Sequence, residues 1–326
     1  MRAAAILDDF ATSTGVSGAT PPRRYLWTDA FAVMTWAGLH ERTGERRFLE
    51  LAERLVAQVH EVLGAPRGGL RIGKPLPERA QDEPYDPELE WERDGQYYHY
   101  LTKWMHALQR VTAASGHERY RQRAVELAQT AHRAFAYPAG APKAMFWKMS
   151  VDLSRPLVPS MGAHDPLDGL VEAVSLGLAR EARELAAICN GRRWATDDPL
   201  GAGGLLIDAL RLARFVAHGQ QELRLLLSRV LEDAASSTQA SASAIGGPAV
   251  GRLAFRELGF ALGLHAVKLL GECAETSRLE RFVPLAARLE QFWLDPVNQA
   301  APTWTGHRDI NAVTLAACLA PQGALG

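Results

Sequence analysis

Apolar residues recur at steps of three and four along most of the chain. In residues 48–63, FLELAERLVAQVHEVL, the residues Phe48, Leu51, Ala52, Leu55, Val59 and Val62 fall on one helical stripe. The same spacing joins Ala124, Leu127, Ala128 and Ala131, and again Leu223, Leu226, Leu227 and Val230. Runs that alternate apolar and polar residues, as half-buried strands do, are scarce. The pattern therefore predicts an all-α protein. Its stops repeat as well. TGERRF (43–48) and SGHERY (115–120) each place a glycine where a left-handed helix end costs little, then a few polar residues, then an aromatic that opens the next stripe. VAHGQQEL (216–223) and CAETSRLERF (273–282) are looser versions. Longer irregular segments separate these turns, at 64–86, 137–163, 190–198, 237–251 and 294–306. The expected helix pairs are 25–42 with 45–63, 88–114 with 117–136, 165–178 with 180–190, 199–217 with 220–236, and 252–273 with 278–293. A last helix at 308–319 can pair with the N-terminal segment 3–13. That closes six hairpins into a single domain over 1–326.

Composition narrows the function classes. The chain has 326 residues, 47% hydrophobic and 22% charged, with 36 basic and 37 acidic residues and a net charge of −1. So even a balance creates no broad field to draw in nucleic acid or an anionic membrane, and points instead to a small molecule or another protein as the partner. Cys189, Cys273 and Cys318 lie far apart without a CxxC spacing, as expected of buried free thiols in a reducing compartment. The start, MRAAAILDDFATSTG, is too short in apolar residues and too acidic for a secretion signal, and no apolar run is long enough for a membrane span. The expectation is a cytoplasmic protein without cofactor or metal; its oligomeric state is open. GGLRIGKP (68–75) contains G-x-x-x-x-G-K, but Pro75 stands where a phosphate loop needs Ser or Thr, and no apolar strand leads in.

In each helix pair the first member opens on polar and aromatic residues after a long loop (RYLWTDAF, EWERDGQYY, HDPLDGL, HRDIN), while the second carries more exposed charge. This asymmetry suggests an inner and an outer ring of helices with the long loops on one face. The pattern resembles the (α/α)6 toroid of six-hairpin glycosidase-like proteins, a superfamily of glycoside hydrolases, polysaccharide lyases and sugar epimerases. An open α-solenoid that binds a protein partner is the alternative architecture, although no strict repeat period appears. The resemblance implies a funnel into which the inner helices point their N-termini, where the dipole favours acids and polar ligands.

The candidates are therefore the residues at the starts of the first helices and in the long loops. RRYLWTDAF supplies Arg24, Trp27 and Asp29. LEWERDGQYYHYLTKW (89–104), with Glu88 just before it, supplies Glu90, Trp91, Glu92, Asp94, Tyr97 and His99, with Asp94 foremost because it stands beside Gly95 at a break. The loop MFWKMSVDLSRP (145–156) supplies Trp147, Lys148, Asp152 and Arg155, the two cations suited to a ligand carboxylate or phosphate. GAHDPLDGL gives His164, whereas Asp165, followed by Pro166, reads as a helix N-cap. WTGHRDIN gives Trp304, His307 and Arg308. Under the resemblance, the protein is a carbohydrate-active enzyme that takes a sugar or sugar acid, foremost a glycoside hydrolase. It would use two carboxylates drawn from Asp29, Asp94 and Asp152. Two alternatives remain among enzymes: an epimerase, isomerase or lyase working through His164 and His307, as some sugar epimerases use a histidine pair, and an enzyme acting on an apolar, terpenoid-like substrate. The alternative outside enzymes is a helical-repeat interaction protein.

Overall fold

The computed structural model describes residues 2–136, 144–271 and 274–326. Cys273 lies outside the described residues. The molecule is 69% helical, as an all-α chain must be. Its contacts divide it into two compact units, Asp9–Asn190 and Met1–Asp8 with Gly191–Gly326; helix α1 (Arg2–Ser13) runs through the division.

The unit Asp9–Asn190 is built from helical hairpins. Helices α2 (Leu26–Thr43) and α3 (Arg46–Val62) are joined by Gly44, whose φ of 72° lets its N–H return to the His40 carbonyl. After the short helix α4 (Pro87–Glu92), helices α5 (Tyr98–Ser115) and α6 (Glu118–Phe135) repeat the device with Gly116, at φ 71°. Helices α7 (Asp165–Leu176) and α8 (Ala179–Cys189) turn at Gly177. The first members are the inner ones. From Leu26 to Leu39 every residue of α2 is buried, while α3 buries only the stripe Phe48, Ala52, Leu55, Val56 and Val59. Each such large side chain contributes roughly 1.5–3 kcal/mol by leaving water. α2 packs on α5, and α5 on α7, so the three inner helices lie in sequence.

The expected helix 88–114 is two helices. At the break, Gly95 takes φ 148°, and Gln96–Tyr97 form strand β1, which pairs antiparallel with β2 (Lys148–Met149); β2 pairs in turn with β3 (Pro156–Val158). Strands of two or three residues are too short to leave an alternating pattern, which is why the sequence did not announce them.

In the second unit, α9 (Pro199–Ala217) packs on α10 (Arg224–Ala244) and on α11 (Ala254–Val267). Helix α12 (Ala274–Glu280) precedes α13 (Val283–Leu294); the one-turn helices α14 (Pro296–Gln299) and α15 (Pro302–Thr305) lead to α16 (Arg308–Leu319) and α17 (Gln322–Leu325). α10 outruns its expected end at 236 because Ser237, Thr238 and Ser241 are small enough to be buried on its inner face; the Ser237 hydroxyl donates to the Asp233 carbonyl. The expected helix 252–273 stops at Val267, and the segment 294–306 is not a plain loop: Pro296 and Pro302 each open a turn of helix. Among the described residues no helix is long and apolar enough to cross a membrane.

α9 and α11 approach so closely that Gly203 lies against the Gly259 carbonyl, and Gly263 against Gly203. A methyl group at Gly203 has no room unless the helices separate. Gly203→Ala is expected to destabilise the protein by about 1–3 kcal/mol, measured as a drop in the denaturation midpoint at unchanged m-value.

Candidate active site

The starts of the three inner helices meet at one end of the Asp9–Asn190 unit. Trp27 is the second residue of α2, His99 the second of α5, and Asp165 the first of α7. The Trp27 and His99 rings are 6.0 Å apart, and His99 Nδ1 lies 3.6 Å from Asp165 Oδ1. Tyr97 and Tyr100 touch the same imidazole at centroid distances of 5.3 and 4.9 Å, and Trp147 lies nearly parallel to it at 6.4 Å. Trp147 stacks in turn on Trp91 at 5.8 Å. The result is a continuous aromatic wall whose outer member, Trp91, remains 48% exposed. Lys74, from the GGLRIGKP segment, sits 4.9 Å over the Trp91 ring and donates to the Trp91 carbonyl. Burial lowers the pKa of this lysine.

Asp165 is the unusual acid. It is 3% exposed, and its Oδ2 has no hydrogen-bond partner among the described residues. The sequence pattern casts it as an N-cap, but the cap position belongs to His164, and no side chain caps this helix. The His164 carbonyl instead accepts from the N–H groups of Leu167 and Asp168 at 2.9 and 3.0 Å. A buried carboxylate oxygen without a donor costs free energy, and sites that bind a ligand are where such a cost persists.

Most of the other expected site residues are brought to the same region but are occupied. Lys148 is fully buried; its Nζ donates to Glu90 Oε1 at 2.8 Å and to the carbonyls of Glu90 and Arg93 at 2.7 and 2.9 Å. Burial lowers its pKa, and the Glu90 carboxylate works in the opposite direction. Glu90 accepts a second cation, Arg79 Nε, at 2.9 Å. Lys148 thus has no donor to spare for a ligand anion, and Glu90 is a strut rather than a substrate contact. Asp94 accepts from Arg71 at 2.8 Å and from the Gly73 N–H at 3.0 Å, which ties the 64–86 loop to the break before α5. Asp29 accepts from the Tyr25 N–H at 3.1 Å and lies 3.6 Å from buried Arg24, which also donates to the Thr14 carbonyl. Arg155 donates to the Arg79 carbonyl and lies 3.8 Å from Glu78. Asp152 accepts from the hydroxyls of Ser150 and Ser154 at 2.7 and 2.6 Å in an open turn.

Trp304, His307 and Arg308 belong to the second unit. Trp304 is buried and stacks on Trp293 at 5.7 Å, His307 lies 5.7 Å from Phe255 with its Nδ1 3.2 Å from the Thr303 carbonyl, and Arg308 is exposed at the first position of α16. His164 and His307 thus fall in different units. Two residues that the sequence offers without advancing them are His99, which is embedded in the 89–104 stretch among louder acids, and Asp165, which Pro166 disguises as a cap. Among the described residues, no group of three or more His, Cys, Asp or Glu side chains is placed to hold a metal ion.

Two expectations follow from these bonds. Lys148→Met leaves the buried Glu90 with one cation instead of two and is expected to cost about 3 kcal/mol, read from chemical denaturation. The Ser154 and Ser150 hydroxyls hold the Asp152 carboxyl down from 3.8 to about 2. A depressed carboxyl stabilises above its unfolded pKa and loses that stabilisation as pH falls. The 150–155 turn is therefore held fully above pH 3.8 and released as pH drops through about 2; Ser154→Ala should raise the midpoint in a carboxyl NMR titration.

No family model and no curated protein matches the chain. Solved structures do. The GH76A α-1,6-mannanase from Salegentibacter sp. HEL1_6 superposes with a TM-score of 0.62 at 11% identity, covering 98% of both chains. A D-mannose isomerase superposes at 0.61 with 12% identity over 97% of this chain and 95% of its own. The cellobiose 2-epimerase from Spirochaeta thermophila DSM 6192 reaches 0.55 with 12% identity over 86% and 85%. Identities this low carry the architecture alone, and they carry it over nearly the whole length: the chain has an all-α, (α/α)6 toroid fold like that of these neighbours.

Proposed function

We propose that this protein is a carbohydrate-active enzyme that holds a saccharide against the aromatic wall and uses Asp165, with His99, for proton transfer. The observation that carries the reading is the buried Asp165 carboxylate, with one oxygen unpartnered and the other 3.6 Å from the His99 imidazole. Aromatic faces accept the C–H face of a sugar ring, and a few convergent polar groups fix its hydroxyls. The named activities of the neighbouring structures, mannan cleavage, epimerisation and isomerisation of sugars, support a sugar as the substrate class. The fold by itself does not choose among them.

Glycoside hydrolysis is the leading reading and needs two carboxyl groups. Asp165 supplies one. The second is Glu92, exposed at the end of α4 beside Trp91, whose charge acts on Tyr25, Tyr97 and Lys74. Asp29 and Asp94 serve better as struts, given their arginine partners. The Salegentibacter mannanase is inactive when two adjacent aspartates are replaced by asparagine. In this chain adjacent aspartates occur at Asp8–Asp9 and Asp197–Asp198, and Asp198 is taken up by capping α9 and pairing with Arg256. Hydrolysis here would therefore run on carboxylates from different helices. The imidazole–carboxylate contact favours a second reading, deprotonation and reprotonation of a sugar carbon, with His99 as the base and His164 close in the chain to the same acid.

Incubation with α-1,6-mannotriose, cellobiose and D-mannose in deuterated water separates the readings. Release of mannose from the trisaccharide marks the hydrolase. An epimer or ketose product, with deuterium carried on the reacting carbon, marks the epimerase or isomerase. In either case Asp165→Asn is expected to lower kcat by about 100-fold or more while the melting temperature stays level or rises, because a buried charge short of partners has been removed. His99→Ala should abolish carbon deprotonation and leave hydrolysis measurable. Absence of both binding and turnover across this set would sink the proposal.

A further inference from the structure

Two phenols stand where the aromatic wall meets the start of α2. The hydroxyls of Tyr25 and Tyr100 are 2.6 Å apart, and the two rings meet edge to face at 5.7 Å. Tyr100 is buried, its ring packed between Trp27, Tyr97 and His99, while Tyr25 is only partly buried. Among the described residues neither hydroxyl has any hydrogen-bond partner but the other.

Proton counting then fixes the direction. A phenol hydroxyl carries one proton and accepts through its lone pairs. Tyr100 has one acceptor within reach, the Tyr25 oxygen, and a buried hydroxyl that donates to nothing is costly. Tyr100 therefore donates to Tyr25. Among the described residues the Tyr25 proton then has no acceptor, and it points out of the pair. Burial raises the pKa of both phenols, and for Tyr25 the negative charges of Glu92 and Asp94 add to the effect, so the proton is retained. Glu92 is the exposed acid beside Trp91; Asp94 is held by Arg71.

We infer that Tyr25 is a substrate-contacting residue, a hydrogen-bond donor that holds one oxygen of a neutral saccharide on the aromatic wall. The inference rests on the reading of this wall as a sugar site. An incoming bond from Tyr100 polarises the Tyr25 hydroxyl and makes it a better donor than a lone phenol. It also fixes the hydroxyl in place, so that little freedom is lost when the ligand arrives. Acidic groups nearby make an anionic sugar the poorer fit, and the buried cations Arg24 and Lys148 are already committed to acids.

The test measures binding of D-mannose and α-1,6-mannotriose, and of the monodeoxy derivatives of D-mannose, to the intact protein and to Tyr25→Phe. The variant is expected to bind the parent sugars about tenfold more weakly. The diagnostic result is coupling: one deoxy position costs the unaltered protein about tenfold and costs Tyr25→Phe nothing, which a purely structural role for the phenol cannot produce. Tyr100→Phe removes only the incoming bond and should give a smaller loss at the same deoxy position. Equal affinity of Tyr25→Phe and the unaltered protein, or an additive deoxy series, overturns the inference and leaves the sugar reading standing. If Tyr25→Phe does not fold, a deoxy series on Tyr100→Phe that matches the unaltered protein at every position overturns it as well. Failure of the unaltered protein to bind any of these sugars overturns both.

Discussion

The buried ion pair between Lys148 and Glu90 is the interaction on which the site depends. A lysine taken fully out of water is costly unless every one of its protons is used, and here a carboxylate and two backbone carbonyls use all three. Those acceptors come from the end of α4 and from the break that follows it. The lysine itself comes from a strand more than fifty residues further along. One ammonium group therefore welds the loop carrying Trp147 to the segment carrying Trp91 and Tyr97. The antiparallel pairing of β1 with β2 joins the same two segments through the backbone, so the three stacked rings are held by a ladder and an ion pair together.

This arrangement also divides the charged residues by task. Glu90 pairs with Arg79 and Lys148, Asp94 with Arg71, and Asp29 with Arg24, and in doing so they hold their loops in register. The proposed proton transfer falls to groups that this network leaves partly uncommitted, Asp165 and His99. A rigid, internally neutralised frame around a small number of under-bonded groups is what preorganised proton transfer requires, since the frame does not rearrange when charge moves.

The sequence displayed the frame of the fold clearly and the site poorly. Amphipathic stripes such as Phe48–Val59, and the glycines at 44 and 116, follow from local geometry, and α2, α3 and α6 could be placed from them to within a residue. The break at Gly95 was visible as a glycine, but the three-strand sheet it feeds depends on pairing with residues fifty positions away. Local pattern carries no trace of such pairing. The same holds for the acids. Asp94 and Asp165 differ in nothing that their neighbours in sequence reveal, since Asp94 looks free beside a glycine and Asp165 looks like a cap before a proline. Which one is neutralised depends on where Arg71 reaches, and that is a tertiary fact. Trp27, Trp91, Tyr97 and Trp147 could be picked out as candidates because each stands in or soon after a long irregular segment, and their rings join in one chain of contacts that includes His99.

The hairpin turns have a bearing on how the molecule tolerates change. Each inner helix of the Asp9–Asn190 unit begins at the aromatic wall and ends at its turn; α2 and α5, of eighteen residues each, reach Gly44 and Gly116 there. A helix of that length spans about 27 Å. The turns therefore stand a full helix length away from the wall, capped by backbone bonds that do not involve any residue of the site. Sequence can drift, lengthen or accept a label at those turns while the distant end keeps its geometry. In this unit the turns that can accept insertions and the aromatic wall proposed to hold the sugar are opposite ends of the same rods.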